Sequence, residues 1–217
     1  MVDFIEAYAP SLVKALPATL VIWILAVAVG AAVGLLLALI RVYAATPLAK
    51  ASAVYVDVVR GTPMLVQMFI LYFGLPEIGI VFSPFVAATL AIGLNSAAYQ
   101  AEYFRAGFLA IPSNQVAAAR ALGMKKWCYV RHVSIPQAMR IALPAWSNEF
   151  VVELQYSSLA FTIGVTELTG AAQKICSTTY RCVDAYLLAG AFYLVLTGVV
   201  VTAFSAISKR FAITPAQ

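Results

Sequence analysis

Two carboxylates stand four residues apart in a mostly apolar stretch, at Glu149 and Glu153. Residues at this spacing share one face of an α-helix, and Ser157 continues the same face. Carboxylates are costly in apolar surroundings, and two like charges so close require a proton or a cation. An ammonium or guanidinium group would meet that need, because both pair strongly with carboxylates. The spacing predicts either a binding site for a cationic substrate or hydrogen bonding that holds helices together.

A second polar stripe has the same periodicity. Asn95, Tyr99 and Glu102 recur at helical spacing and so share a face of one helix. Asn95 and Tyr99 are candidates for contacts to the polar end of a substrate. The alternative is again interhelical hydrogen bonding, and the spacing does not decide between the two.

The composition shows what kind of structure must position these residues. The chain has 217 residues, of which 63% are hydrophobic and 11% charged. Soluble domains have roughly 45–50% apolar and about 25% charged residues. A disordered chain would need low hydrophobicity and high charge. The single histidine, His132, and three cysteines leave little material for a metal cage or a His-based catalytic site. We therefore expect an all-α integral membrane protein.

Uncharged runs locate the membrane-spanning helices, since a helix needs about 20 apolar residues to cross a bilayer. Three such runs lie between Lys14 and Arg41, between Glu77 and Glu102, and between Asp184 and Lys209. Another span begins near Val54 with Arg60 in its first turns, and another contains the acidic pair. The prediction is a single transmembrane domain, 1–217, with five transmembrane helices at 16–40, 54–74, 80–101, 137–162 and 185–207.

Two features of the first and second spans concern helix contacts. A stripe of small residues recurs every fourth position in the first span and predicts close packing, within the chain or with another subunit. It consists of Ala26, Gly30, Gly34 and Ala38. In the second span Pro63 removes a backbone hydrogen bond and predicts a kink.

The distribution of Lys and Arg predicts the orientation, because short cytoplasmic loops collect these residues. Three fall on one side: Lys14, Lys174 and Arg181. Ten fall on the other side: Arg41, Lys50, Arg105, Arg120, Lys125, Lys126, Arg131, Arg140, Lys209 and Arg210. We therefore expect the N-terminus outside. The net charge of +5 then reflects topology, and no nucleic-acid partner is expected.

Two connecting segments are expected to carry structure. The cytoplasmic loop 105–136 contains a strong helix-forming run, QVAAARAL at 115–122, and Gly123 suits its C-terminal cap. The outer segment 164–184 predicts a short helix capped by Thr166. Cys176 and Cys182 share this outer segment, where a disulfide can persist in an oxidising compartment.

Three blocks of sequence carry a family resemblance. AAARALG at 117–123, followed nine residues later by VSIP at 133–136, resembles the EAA loop of ABC importer permeases. The family's Glu is replaced by Ala117. RGTP at 60–63 and the run ending at Pro76 resemble the second span of polar amino-acid permeases. RIALPAWSNEF at 140–150 and SSLAFTIGVTEL at 157–168 are similar to the histidine/lysine/arginine/ornithine and opine branch.

The resemblance implies a type I ABC importer permease fold and a transport subunit rather than an enzyme. It implies that the loop helix docks on an ATPase through Ala117, Ala118, Ala119, Arg120 and Gly123. ATP and magnesium would be bound by two partner ATPase subunits, and this chain has no Gly-rich phosphate-binding loop of its own. A second permease subunit and an extracytoplasmic solute-binding protein would complete a complex in the bacterial inner membrane. The substrate would be a polar, basic amino acid or an opine, held by Glu153, Glu149, Asn95, Tyr99 and Ser157.

Two other classes of protein remain as alternatives. A secondary transporter or channel could use Glu149 and Glu153 as a proton or cation relay. Such transporters normally contain an internal repeat, which is not visible here, and five spans cannot be halved. An integral-membrane enzyme is a weaker alternative, because no nucleophile–base pair or metal-ligand spacing supports it.

Overall fold

A computed structural model describes residues 2–211, and within that range all regular structure is helical. The α-helices are α1 (Val2–Tyr43), α2 (Thr46–Arg60), α3 (Met64–Phe69), α4 (Pro84–Leu109), α5 (Ser113–Ala121), α6 (Lys126–Tyr129), α7 (Ile135–Tyr156), α8 (Leu168–Thr179) and α9 (Cys182–Phe211). Short π-helical turns follow α3 and α6, and 3-10 turns cover Leu75–Ile78 and Ser157–Ile163. The chain is therefore helical almost without interruption from α6 to residue 163.

The centre of the fold is the contact of α1 with α4. Gly34 lies so close to α4 that a Cβ at this position would be 2.9 Å from the backbone oxygen of Ala97. Gly30 lies equally close to Ser96 and Gln100. The small-residue stripe of α1 thus packs within the chain, which decides between the two alternatives that the sequence left open.

The predicted continuous second span, 54–74, is wrong. Helix α2 begins at Thr46 and ends at Arg60, and the chain then turns through 106° into the segment that starts at Met64. Pro63 has no N–H to continue the helix and disfavours helical backbone at Thr62, and Pro63 itself is extended. Arg60 therefore lies in the last turn of α2 rather than in the first turns of a span.

The bend is held by side chains. The Gln67 amide donates to the backbone oxygen of Val59 at 2.7 Å and to Thr62 Oγ1 at 2.7 Å. Its own oxygen accepts from Asn95 Nδ2 at 3.0 Å. Carbonyl groups at the end of α2, which have no partner within the helix, thus find donors.

The outer segment forms α8, with one difference from the sequence prediction. Its N-terminal cap is Glu167, whose carboxylate accepts from the backbone N–H groups of Thr169 and Gly170, and not Thr166. Cys176 and Cys182 form a disulfide that joins α8 to α9. Leu168 and Ile175 are buried against α1 and α9, so α8 is part of the helix bundle.

By length and apolarity α1 and α9 can each span a membrane, and the bent pair of α2 and α3 gives a third span if it counts as one. Helices α4 and α7 contain 26 and 22 residues, or about 39 and 33 Å at about 1.5 Å per residue. They are long enough to cross but carry the polar side chains, so the five-span count stays a prediction. The side chains of Lys209 and Arg210, which enter the charge count, lie outside the described part.

Candidate functional site

The acidic pair lies where α7 faces α4. Glu149 and Glu153 are buried, with 3% and 1% of their surface exposed. Their spacing of four residues places both carboxylates on the same face of α7. The sequence prediction that these two residues share one face is confirmed.

Helix α4 supplies the hydrogen-bond donors. Ser96 Oγ lies 3.2 Å from Glu149 Oε1 and also contacts Glu153 Oε1. Gln100 Nε2 donates to Glu153 Oε1 at 2.9 Å and to Ser96 Oγ at 2.9 Å. Tyr103 donates to Glu149 Oε2 at 3.4 Å, a long bond. The three donors recur at helical spacing on α4, and each of them contacts at least one of the two carboxylates.

Trp146 fixes the orientation of the Gln100 amide. The indole Nε1 can only donate, and it donates to Gln100 Oε1 at 2.8 Å. The amide nitrogen must therefore point towards Glu153 and Ser96. Trp146 belongs to α7, one turn before Glu149, so α7 itself helps to position the donor that contacts its second carboxylate.

The two carboxylates offer more acceptor positions than the surrounding side chains have hydrogens to donate. An ionised carboxylate accepts at about four positions, whereas a serine hydroxyl has one hydrogen to donate. Ser96 must therefore serve one glutamate at a time. Glu153 Oε2 is fully buried and has no hydrogen-bond partner among the described residues. Buried polar groups are rarely left in this state, so the site has capacity for a further donor.

A cavity of about 280 Å³ opens beside the pair. Its lining consists of Tyr99, Tyr103, Asn148, Glu149, Val152 and Tyr156. Glu149 therefore forms part of the wall, while Glu153 lies behind it against α4. From the sequence Glu153 was the first candidate for ligand contact; the structure gives Glu149 the direct access.

The three residues of the predicted stripe have three different roles: Asn95, Tyr99 and Glu102 each contact a different group. Asn95 bonds to Gln67 and stabilises the bend between α2 and α3. Glu102 forms ion pairs with Arg41 of α1 and with Arg105, whose Nη2 lies 2.6 Å from Glu102 Oε2. Only Tyr99 lines the cavity. The structure thus brings Tyr99 to Glu149 and places Asn95 in a separate network.

Ser157 is buried, but its hydroxyl donates to the backbone oxygen of Leu154 at 2.6 Å. It begins the 3-10 turn that follows α7, where the helix narrows and the face of the two glutamates is no longer continued. The structure gives Ser157 no hydrogen bond to either glutamate.

Three residues of the site were missed from the sequence: Ser96, Gln100 and Tyr103. They have the same helical spacing as the stripe that was chosen, and each follows a member of that stripe by one residue. Spacing alone identifies both stripes, but it does not tell which of them faces α7.

The loop helix is α5, and its residues divide by exposure. Ala117, Ala118 and Arg120 are exposed, whereas Ala119 is buried against Tyr129. Arg120 lies over the Tyr129 ring, 5.8 Å from its centroid. Ala119 therefore anchors α5 to the rest of the chain, and the other three present an open surface. Leu122 and Trp127, 83% and 65% exposed, extend that surface and were not predicted.

Gly123 ends α5 as the sequence predicted. Its φ of +78° is left-handed, a conformation that glycine adopts without strain. The N–H groups of Gly123 and Met124 donate to the carbonyls of Arg120 and Ala119, at 2.9 and 3.1 Å. This is the pattern of a Schellman motif, which fixes the direction in which the chain leaves the helix.

Solved structures with this fold include two transporters. One is a crystal structure of an amino acid ABC transporter with histidines, 38% identical, with a TM-score of 0.86 over 95% of this chain and 96% of the other. The second is an inward-facing form of the MetNI methionine ABC transporter, with a TM-score of 0.82 at 18% identity over 96% of this chain and 99% of the other. The second likeness concerns the fold alone.

Sequence relatives cover nearly the whole chain. The nopaline transport system permease protein of Agrobacterium fabrum is 39% identical over 90% of this chain and 85% of its own length. The glutamine transport system permease protein of Escherichia coli is 34% identical over 94% of both. Residues 30–212 match the family described as binding-protein-dependent transport system inner membrane component. The chain belongs to this family of ABC importer permeases.

Proposed function

We propose that this chain forms the translocation pathway of an ATP-driven importer for cationic amino acids or for opines derived from them, working by alternating access. The names of the relatives support a cargo among amino acids and opines. The observation that carries the cationic preference is the buried pair Glu149 and Glu153, whose carboxylates have acceptor positions without donors.

The physical argument concerns the cost of buried charge. A carboxylate at membrane depth is expensive unless a cation or a proton compensates it. No Lys or Arg lies within 4 Å of either glutamate in the described part of the chain. A guanidinium or ammonium group of the cargo would supply a donor to Glu149, which forms the cavity wall, and the opposite charge to the pair. A neutral side chain would supply at most the donors.

The two glutamates are assigned different roles. Glu149 forms the cavity wall and would contact the cargo cation directly. Glu153 would add a second negative charge from behind, with its position set by Ser96 and Gln100. Of the other predicted contacts, Tyr99 keeps a place in the site, and Asn95 and Ser157 would act through the helices that they hold in place.

The proposed transporter requires partner subunits. Two ATPase subunits would bind ATP and magnesium, and one of them would receive α5 through Ala117, Ala118 and Arg120. The exposed Leu122 and Trp127 would add apolar contacts to this surface. A second permease subunit and an extracytoplasmic solute-binding protein would complete the complex. We place the chain in the bacterial inner membrane as a multi-pass protein with its N-terminus outside, from its charge distribution.

The experiment that tests the function is substrate-stimulated ATP hydrolysis by the complete complex in liposomes. Binding protein loaded with arginine, lysine, histidine, an arginine-derived opine or glutamine would be supplied in turn. We expect stimulation by the cationic cargoes or the opine and little by glutamine. Stimulation by glutamine alone would refute the cationic preference, and stimulation by none of them would refute the cargo class.

Coupling through α5 is tested by Gly123→Val. A β-branched residue is strained at a positive φ, so the Schellman motif should open and α5 should shift against Tyr129. We expect stimulated ATP hydrolysis to fall at least tenfold while the complex remains assembled. Gly190→Val on α9 is the matched control, because a Cβ there meets no atom within 4 Å. Unchanged stimulation in Gly123→Val would exclude α5 from coupling.

A further inference from the structure

Arg60 lies beside Tyr99, which lines the same cavity as Glu149. It is the last residue of α2, directly before the bend. Its guanidinium lies over the Tyr99 ring, 5.1 Å from the centroid. Tyr99 is 15 residues into α4, or about 22 Å from that helix's start at about 1.5 Å per residue. The charge therefore sits between the ends of the bundle, where ionisable residues usually have a functional role.

Arg60 also differs from the three paired arginines, Arg41, Arg105 and Arg181. Arg41 and Arg105 both pair with Glu102, and Arg181 pairs with Asp184. Arg60 makes no ion pair within 4 Å to any acid of residues 2–211 whose side chain is described. Its positive charge is near enough to act on Glu149 and Tyr103, yet too far from Glu149 for direct contact.

Neighbouring residues hold this guanidinium in place. Stacking on Tyr99 holds its plane, and such cation–π contacts leave the N–H edge free to donate. The backbone just before it is pinned by Gln67, which bonds to Val59 and is itself held by Asn95. Arg60 is exposed rather than enclosed, so a ligand can reach the free edge of its guanidinium.

We propose that Arg60 binds the carboxylate of the cargo while Glu149 binds its cationic end. This rests on the proposed function and extends it by a second recognition point. The same Tyr99 ring contacts the guanidinium and lines the cavity beside Glu149, so a positive group lies next to a cavity whose wall carries a negative one. A planar guanidinium matches a carboxylate in a bidentate arrangement. The cargo must then carry both a carboxylate and a cation, and a decarboxylated amine should bind poorly.

The test compares arginine with agmatine, which is arginine without its carboxylate. The dissociation constants would be measured by calorimetry on the purified permease–ATPase complex without binding protein. We expect wild-type protein to bind arginine at least tenfold more tightly than agmatine, because a charge-assisted pair is at stake. Arg60→Gln should weaken arginine to the level of agmatine and leave agmatine unchanged. Arg60→Lys, which keeps the charge, should retain part of the preference.

Controls separate this inference from the function beneath it. Arg140→Gln removes an exposed arginine that lies on α7 rather than on α2. It should change neither the dissociation constant of arginine nor that of agmatine. The thermal midpoint of Arg60→Gln should stay close to that of wild type, since no ion pair is lost and only the contact with the Tyr99 ring is removed. An arginine preference that survives Arg60→Gln would overturn the role of Arg60 and leave the cationic site intact. Failure of wild-type protein to bind either ligand would overturn the proposed function as well.

Discussion

Helix α4 carries two polar stripes that are neighbours in sequence but differ in how far their hydrogen bonds are satisfied. The first stripe, Ser96, Gln100 and Tyr103, faces the glutamates of α7. The second stripe is Asn95, Tyr99 and Glu102. In the second, Glu102 has two arginine partners and Asn95 has Gln67. In the first, the donors are outnumbered, and Glu153 Oε2 has none within the described residues.

This difference separates stabilising polar groups from groups that are available to a ligand. A network whose donors and acceptors are matched ties helices together and gains little from anything added to it. A network with spare acceptors and buried negative charge is stabilised by a cationic ligand, which donates hydrogen bonds and neutralises the charge. Asn95 of the second stripe is as buried as Glu149, each with 3% of its surface exposed, so burial alone does not distinguish the two kinds of network. The balance of donors and acceptors does.

The largest effect on stability is expected from Glu102→Leu, which leaves Arg41 and Arg105 without their acid. Removing one partner of a buried pair costs about 3–5 kcal/mol. These side chains are about one-fifth exposed, so we expect a loss of about 2 kcal/mol, seen as a lower thermal midpoint of the detergent-purified complex. The ratio of arginine to citrulline affinity should stay the same. A changed ratio would place Glu102 in the site.

A smaller effect is expected from Asn95→Leu. The substitution removes one neutral hydrogen bond and leaves Gln67 Oε1 without a donor, which costs about 1 kcal/mol. The bend between α2 and α3 should become easier to open, with faster hydrogen exchange of the backbone at residues 64–67. Leu94→Ala, at a neighbouring exposed position, is the control. Exchange as slow as in wild type would show that Asn95 does not hold the bend.

The smallest effect on stability is expected from Trp146→Phe. It removes the indole N–H that orients Gln100 but keeps an aromatic ring beside Phe104. We expect a stability loss under about 1 kcal/mol and arginine binding about threefold weaker, because a less fixed amide positions Glu153 less well. Trp146→Phe is thus expected to weaken binding with only a small loss of stability, whereas Glu102→Leu is expected to lower stability and leave the affinity ratio unchanged. An unaltered arginine affinity would show that the orientation of Gln100 is not needed.

Much of this arrangement could be predicted from sequence. The spacing of Glu149 and Glu153 placed them on one face, and Gly123 was recognised as the end of α5. Both predictions rest on local geometry, where spacing or a single glycine is enough. The family's docking loop was also recognisable, although its buried anchor Ala119 could not be told from the exposed Ala117 and Ala118.

The remainder depends on tertiary contacts. Adjacent residues on a helix point about 100° apart, so the two stripes of α4 can be told apart only once α7 is in place. The bend at Pro63 was expected as a kink inside a continuous span. The apolar residues around it favoured one continuous span, although RGTP contains both a glycine and a proline. The role of Arg60 followed from that bend and could not be predicted without it.

The central claim is that the under-bonded glutamates of α7 bind the positive charge of the cargo. The most direct measurement is the affinity of arginine and of citrulline, its uncharged near-isostere, for the permease–ATPase complex carrying Glu149→Gln. In wild type we expect arginine to bind at least tenfold more tightly, and in the variant we expect the two affinities to converge within about threefold through weaker arginine binding. An arginine preference that persists undiminished in both Glu149→Gln and Glu153→Gln would contradict the claim.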